Sequence, residues 1–187
     1  RFKSIKGGDE LAVMDIPPPE WLIPDLLPVG LTILGGPKKL GKSFLIMQFA
    51  KQLVEDGHPV FYFAGEDTYH LHKERQKQVG LEASNDYQFV AGRTEHFSSP
   101  KTFYENISEA LKLYPFKAIF IDVMEHCLAP QQSRDYSYYM KELGRWAKLA
   151  HKYGIAIVLV THTGKNAGQT YSNPIDHLIG RTGIGSA

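Results

Sequence analysis

Short runs of apolar residues alternate along this chain with longer stretches in which apolar residues recur at helical spacing. The apolar runs predict strands at 30–35, 59–64, 87–90, 117–123 and 155–161. The stretches between them predict helices at 42–56, 68–79, 100–114 and 135–153. Strands that alternate with helices are typical of βαβ units. We therefore expect an α/β fold of three layers, with a mostly parallel sheet between two layers of helices.

Prolines interrupt the first part of the chain, at positions 17, 18, 19, 24 and 28. Because proline is excluded from helix interiors and central strands, residues 1–29 are predicted to form an irregular lead-in. We expect Trp21, Leu22 and Ile23 to anchor this lead-in to the core. Residues 30–187 then form the main domain.

A glycine-rich segment joins the first predicted strand of that domain to its first helix, with the sequence Gly36-Pro37-Lys38-Lys39-Leu40-Gly41-Lys42-Ser43. It matches the pattern G-x-x-x-x-G-K-[ST], in which the glycines let backbone N–H groups point at phosphate oxygens. Lys42 supplies a positive charge for the β and γ phosphates, and Ser43 a hydroxyl for Mg²⁺. We predict that these eight residues and Phe44 bind a nucleotide. The alternative is a glycine-rich turn that matches the pattern by chance.

Polar residues close three other predicted strands, and the carboxyl ends of parallel strands share one edge of a sheet. After the second strand, Glu66 is predicted to activate the attacking water and Asp67 to cap the next helix. Asp122 ends four apolar residues in the Walker B pattern and is predicted to hold Mg²⁺. His162, with Thr161 as its partner, is predicted to contact the γ phosphate and report its presence. The structural alternatives are solvated or capping carboxylates, an acidic turn and a capping histidine.

These assignments make Lys42, Glu66 and His162 the predicted catalytic residues. Residues 163–187 are rich in glycine and predict a mobile loop region. Its strong cations are Lys165 and Arg181, which could act on phosphate across a subunit boundary or contact a nucleic-acid backbone. Solvated surface charge is the alternative for both.

Composition sets broader limits. The 187 residues are 43% hydrophobic and 22% charged, as expected of one domain with a proper core. The net charge of +1 neither supports nor excludes nucleic-acid binding. No apolar run is long enough to span a bilayer, and Arg1–Ser4 does not open a signal peptide, so we expect a cytoplasmic protein without a membrane partner. Cys127 is the only cysteine and is predicted to be a small core residue.

The glycine loop, Glu66-Asp67, Asp122 and His162 together resemble the RecA-like ATPase core. The segments Trp21–Gly30 and Thr161–Lys165 are similar to the RepA-type hexameric replicative helicases of plasmids and phages. This resemblance implies ATP with Mg²⁺, a ring of subunits, most simply a hexamer, with nucleotide at each interface, and translocation on single-stranded DNA. It also implies that Glu66 is the catalytic glutamate and that Arg181 acts on the neighbouring subunit. The chain ends before the strands that normally complete this core, so we expect a missing or disordered C-terminal segment.

The resulting prediction is Mg²⁺-dependent ATP hydrolysis by a RecA-like motor, as a replicative helicase or a helicase-associated ATPase. One rival is a nucleotide-gated regulatory or scaffold ATPase with little turnover, which would share every phosphate-binding residue. A small-molecule kinase is less favoured, because its phosphate-covering lid needs several arginines. Between residues 123 and 140 the sequence offers only Arg134.

Overall fold

The structure is a computed structural model that describes residues 7–92, 94–128 and 136–162. Its first elements are a short helix and two short strands: α1 (Gly8–Ala12), β1 (Trp21–Ile23) and β2 (Leu27–Pro28). The remaining strands are β3 (Gly30–Gly36), β4 (Val60–Ala64), β5 (Tyr87–Ala91), β6 (Ala118–Asp122) and β7 (Ala156–His162). The remaining helices are α2 (Lys42–Glu55), α3 (Tyr69–Val79), α4 (Pro100–Leu113) and α5 (Tyr136–Tyr153). None of these described helices is long and apolar enough to cross a lipid bilayer.

Strands β3 to β7 form one parallel sheet in the order β3-β7-β6-β4-β5. Helices α2 and α3 cover one face, and α4 and α5 cover the other. The predicted three-layer α/β fold is therefore confirmed. Each predicted strand and long helix is present, with both ends within one residue of the predicted bounds.

Burial on both faces explains why the strands are continuous apolar runs. In β4, Val60 and Tyr62 belong to the apolar cluster under α2, whereas Phe61 and Phe63 belong to the cluster under α4 and α5. A strand covered on both sides has no solvent-facing row, so it shows no alternation of polar residues. Cys127 is 1% exposed in the second cluster, which confirms its predicted place in the core.

The lead-in is more regular than its prolines predict. Strands β1 and β2 form an antiparallel hairpin in which Trp21 pairs with Pro28. Both strands of a two-stranded hairpin are edges, where proline is tolerated, so the prediction of irregular backbone is wrong here. Ile23 and Leu27 anchor the hairpin, at 3% and 0% exposure, whereas the predicted anchor Trp21 is 40% exposed.

The register of the sheet brings the ends of its central strands together. Gly36 at the end of β3 pairs with His162 at the end of β7. Asp122 at the end of β6 pairs with Val160 on one side and with Ala64, the last residue of β4, on the other. Because the strands are parallel, all of these residues lie at the carboxyl edge of the sheet. Ligands bind at this edge in open α/β sheets.

Candidate functional site

The loop between β3 and α2 is built around two glycines. At Gly36 a Cβ atom would approach Leu40 Cδ2 to 3.0 Å, which is tighter than ordinary contact. Gly41 has φ of 90°, a left-handed conformation that glycine adopts without strain. Helix α2 begins directly after it at Lys42 and is 14 residues long. Its unpaired N-terminal N–H groups and dipole therefore lie at the loop, an arrangement that favours an anion.

Lys42 is buried at the base of this loop, at 7% exposure. Its Nζ donates hydrogen bonds to the carbonyl oxygens of Gly36 and Pro37, both at 2.8 Å. Burial lowers the pKa of Lys42, and the negative charges of Asp122, Glu125 and Glu66 oppose that shift. The ammonium group is thus held by neutral carbonyl groups, which a phosphate anion can replace as its partner.

Ser43 and Asp122 form the oxygen-rich side of the site. Asp122 is 7% exposed, and the Ser43 side chain hydrogen-bonds its carboxylate. Burial raises the pKa of Asp122, and the Ser43 hydrogen bond opposes that shift. A hydroxyl beside a buried carboxylate is the oxygen donor set that Mg²⁺ prefers, so these residues fit the predicted ion.

The raised pKa predicts that Asp122 destabilises the fold when it is ionised. A carboxyl whose folded pKa lies above its unfolded value costs stability, and the cost grows as the pH rises through both values. Asp122→Asn is therefore expected to raise the Tm at neutral pH, and the gain should disappear below the ordinary aspartate pKa. Thermal unfolding at the two pH values checks this, with the exposed Asp56→Asn as the control. An Asp122→Asn Tm at or below that of the wild type at neutral pH would contradict the expectation.

Glu66 and His162 approach each other across the edge of the sheet. Glu66 Oε2 lies 3.5 Å from His162 Nε2, and the two side chains are 55% and 23% exposed. His162 Nδ1 is buried and has no hydrogen-bond partner among the described residues. The structure therefore brings together the two residues predicted to act on the attacking water and on the γ phosphate. Thr161, the predicted partner of His162, donates from Oγ1 to Glu125 Oε1 at 3.1 Å.

Gly65, between β4 and Glu66, has no room for a side chain. A Cβ atom there would overlap the His126 imidazole and approach Phe63 Cε1 to 2.6 Å. Gly65→Ala is therefore expected to lower stability by about 1–3 kcal/mol, because the packed rings must move. Chemical denaturation measures the loss.

Gly144→Ala is the matched control for that variant, because Gly144 lies in α5 with open space where a Cβ atom would stand. It should raise stability by about 0.5–1 kcal/mol, since alanine is the better helix former. If Gly65→Ala and Gly144→Ala were equally stable, the packing around Gly65 would leave room for a methyl group, contrary to this prediction.

Asp67 has a different role from the one predicted. Thr68 is the N-cap of α3, and its side chain accepts a hydrogen bond from the backbone N–H of Leu71 at 3.2 Å. Asp67 forms an ion pair with Arg75. The prediction of Asp67 as the cap is wrong, because one position further along lies another residue type that caps helices well.

Arg75 is a site residue that the sequence reasoning missed. Its guanidinium carbon lies 6.0 Å from the centre of the Phe44 ring, and both side chains line the cleft described below. Helical spacing could have pointed to it, because residues 72 and 75 lie on one face of α3, next to Asp67.

These residues surround one cleft of about 420 Å³ at the carboxyl edge of the sheet. Its lining comprises Lys38, Lys39, Leu40, Gly41, Lys42, Ser43, Phe44, Glu66, Asp67, Arg75, Asp122 and His162. Gly36 and Pro37 contribute through the carbonyl groups that hold Lys42. The predicted residues Lys165 and Arg181 lie outside the described residues.

A family model described as an AAA domain matches residues 5–168. The DNA repair protein RadA of Chlamydia muridarum is 24% identical over 152 residues, which cover 80% of this chain and 31% of that protein. RadA of Chlamydia pneumoniae is 27% identical over 158 residues, with 80% and 31% covered. RadA of Halalkalibacterium halodurans is 21% identical over 157 residues, with 82% and 32% covered. The chain thus spans about a third of the length of these relatives.

Among solved structures, the fold is similar to a chain described as an ATPase domain. The TM-score is 0.56 at 12% sequence identity, and the match covers 80% of this chain and 63% of that one. At this identity the likeness establishes a shared fold.

Proposed function

This chain belongs to the AAA domain family of RecA-like P-loop ATPases, and on that premise we propose that it is the Mg²⁺-dependent motor domain of a DNA-processing enzyme. The specific role proposed is that of a replicative DNA helicase or a helicase-associated ATPase. The observation that most supports an ATP-hydrolysing motor domain is the meeting of four strand ends at one cleft. Three of these ends supply Asp122, Glu66 and His162, and the loop that follows the fourth leads to Lys42 and Ser43 at the start of α2.

Phosphate binding is assigned to the loop and to Lys42. The N–H groups at the start of α2 would receive phosphate oxygens, and the Lys42 ammonium would exchange the Gly36 and Pro37 carbonyls for the β and γ phosphates. Since the ammonium is already buried and oriented, little reorganisation is needed when the nucleotide binds.

Ser43 and Asp122 are the residues proposed to hold Mg²⁺. When bound, the ion neutralises charge on the β and γ phosphates and helps to orient them. The Ser43 hydroxyl and the Asp122 carboxylate lie together at the cleft, so both oxygen donors are available to the ion there.

Glu66 is proposed to orient the attacking water and take its proton. It is the exposed carboxylate of the cleft, so water can reach it, and its position after β4 puts it across the cleft edge from the phosphate loop. His162 is proposed to contact the γ phosphate through the imidazole edge that now faces Glu66. Loss of that phosphate would then change the contact at the end of β7.

Action on DNA is supported by the relatives named DNA repair protein RadA and by the helicase-like features of the sequence. We propose a cytoplasmic ring of subunits, most simply a hexamer, that moves on single-stranded DNA. Lys165 and Arg181 are proposed to serve the neighbouring subunit or the DNA backbone.

The experiment is a steady-state ATPase assay of the purified full-length protein, without nucleic acid, with single-stranded DNA and with single-stranded RNA. Single-stranded DNA is expected to raise kcat, and a forked duplex to be separated only while ATP is hydrolysed. Glu66→Gln serves as the control for hydrolysis that comes from a contaminant.

A rate that DNA leaves unchanged, together with an intact duplex, would overturn the helicase role. Tight nucleotide binding with negligible turnover under all conditions would favour a nucleotide-gated regulatory ATPase instead. Transfer of phosphate to a small molecule rather than to water would favour a kinase.

A further inference from the structure

A second cavity of about 620 Å³ adjoins the nucleotide cleft. The two share Lys38, Glu66 and His162, so the second opens at the end of the cleft where Glu66 and His162 meet. It also brings in a carboxylate that the roles above do not use, that of Glu125.

Glu125 lies on a firmly held turn. It is the middle residue of a single 3-10 turn, Met124–His126, two residues after the end of β6. Met124 directly before it and Cys127 two residues after it are buried, at 3% and 1% exposure. The Cys127 N–H and Sγ both donate to the Met124 carbonyl, at 3.0 and 3.1 Å. The backbone under Glu125 is therefore fixed by the core.

From this turn the Glu125 carboxylate reaches the neighbouring strand β7. Its Oε1 accepts a hydrogen bond from Thr161 Oγ1 at 3.1 Å, and Thr161 is fully buried. The next residue is His162, whose Nε2 lies 3.5 Å from Glu66 Oε2. One side-chain hydrogen bond thus ties the 3-10 turn after β6 to the end of β7, which carries His162.

Glu125 also acts electrostatically on the phosphate loop. Burial lowers the pKa of Lys42, and among the charges that oppose this shift Glu125 ranks after Asp122 and before Glu66. The negative charge of Glu125 therefore acts on the phosphate-binding lysine, and one oxygen of the same carboxylate is engaged by the Thr161 hydroxyl.

We propose that Glu125 is a positioning residue for hydrolysis: through the Thr161 hydroxyl it fixes the end of β7 and thereby aligns His162 with Glu66. This inference rests on the proposed ATP hydrolysis. It does not make Glu125 the base that takes the proton of water, because a positioning carboxylate needs only an oxygen that accepts the Thr161 hydrogen bond. An amide oxygen at the same position would do the same.

The test is steady-state ATP hydrolysis by the full-length protein carrying Glu125→Ala, Thr161→Val or both. Each single change is expected to lower kcat by about tenfold, as is usual when a supporting hydrogen bond is lost, and to leave the KM for ATP within about twofold. The double variant should be no slower than the slower single variant, because both changes remove the same hydrogen bond.

Two conservative variants separate positioning from other roles. Glu125→Gln and Thr161→Ser keep the acceptor and the donor, so each should retain at least about a third of the wild-type kcat. Glu109→Ala, an exposed glutamate on α4, is the control for a lost surface charge. Thermal unfolding of every variant shows whether the fold is intact.

Loss of kcat in Glu125→Gln as large as in Glu125→Ala would overturn the proposal in favour of a role that needs the charge of the carboxylate, on Lys42 or in proton transfer. If Glu125→Ala and Thr161→Val both kept the wild-type kcat, the proposal would be overturned, because Glu125 would then have no role in hydrolysis. Additive losses in the double variant would also overturn it. If the wild-type protein itself hydrolyses no ATP, it is the proposed function that fails, and that outcome is read from the wild type alone.

Discussion

Replacing Glu66 with glutamine is expected to lower kcat for ATP hydrolysis by about 10²–10⁴-fold, the usual effect of removing a general base. Glutamine keeps the size of the side chain and loses its ability to take a proton. Nucleotide affinity should stay near that of the wild type, because Glu66 is exposed and is not part of the phosphate loop. Single-turnover hydrolysis and binding of a fluorescent ATP analogue measure the two quantities separately.

Glu105→Gln is the matched control, since Glu105 is an exposed glutamate on α4, far along the chain from the strand ends. It should hydrolyse ATP at the wild-type rate. A Glu66→Gln variant with wild-type kcat would remove Glu66 from the catalytic role. If the Glu66→Gln variant instead no longer bound nucleotide, Glu66 would be a binding residue.

Replacing Lys42 with alanine is expected to have an effect of similar size, but through binding as well as catalysis. The ammonium is buried and preorganised, and removal of one such charged donor costs about 10²–10³-fold in kcat. Nucleotide affinity should fall by about 10–100-fold, because hydrogen bonds to a charged group are lost. Isothermal titration with a slowly hydrolysed ATP analogue measures the affinity.

The control for Lys42→Ala is Lys51→Ala, further along the same helix and outside the lining of the cleft, where Lys51 pairs with Glu55. It should bind and hydrolyse ATP as the wild type does. Wild-type affinity in Lys42→Ala would contradict the assignment of the loop to phosphate. The melting temperature of each variant shows whether α2 remains folded.

The fold could be predicted closely because its signals are local. A strand buried on both faces, such as β7, must be apolar along its length, and a helix such as α4 must repeat its apolar residues at 3.6-residue spacing. Parallel order then brings the strand ends together without any knowledge of long-range contacts. This is why Glu66, Asp122 and His162 could be expected at one edge.

Contacts that depend on side-chain choice could not be predicted in the same way. Thr68 and Asp67 are both good caps, but in the structure Thr68 caps the helix and Asp67 pairs with Arg75, eight residues beyond it. Glu125 and Thr161 are 36 residues apart and meet only because β6 and β7 are neighbours. The β1–β2 hairpin could not be predicted from the prolines, because proline excludes a central strand but not an edge strand.

Magnesium-dependent phosphate release by the wild-type protein is the measurement that most directly tests whether these strand ends form one hydrolytic ATP site. With ATP and Mg²⁺, continuous release well above that of Lys42→Ala and Glu66→Gln is expected, and excess EDTA should abolish it. Release from the wild type no faster than from Lys42→Ala under the same conditions would contradict a hydrolytic site at this edge of the sheet.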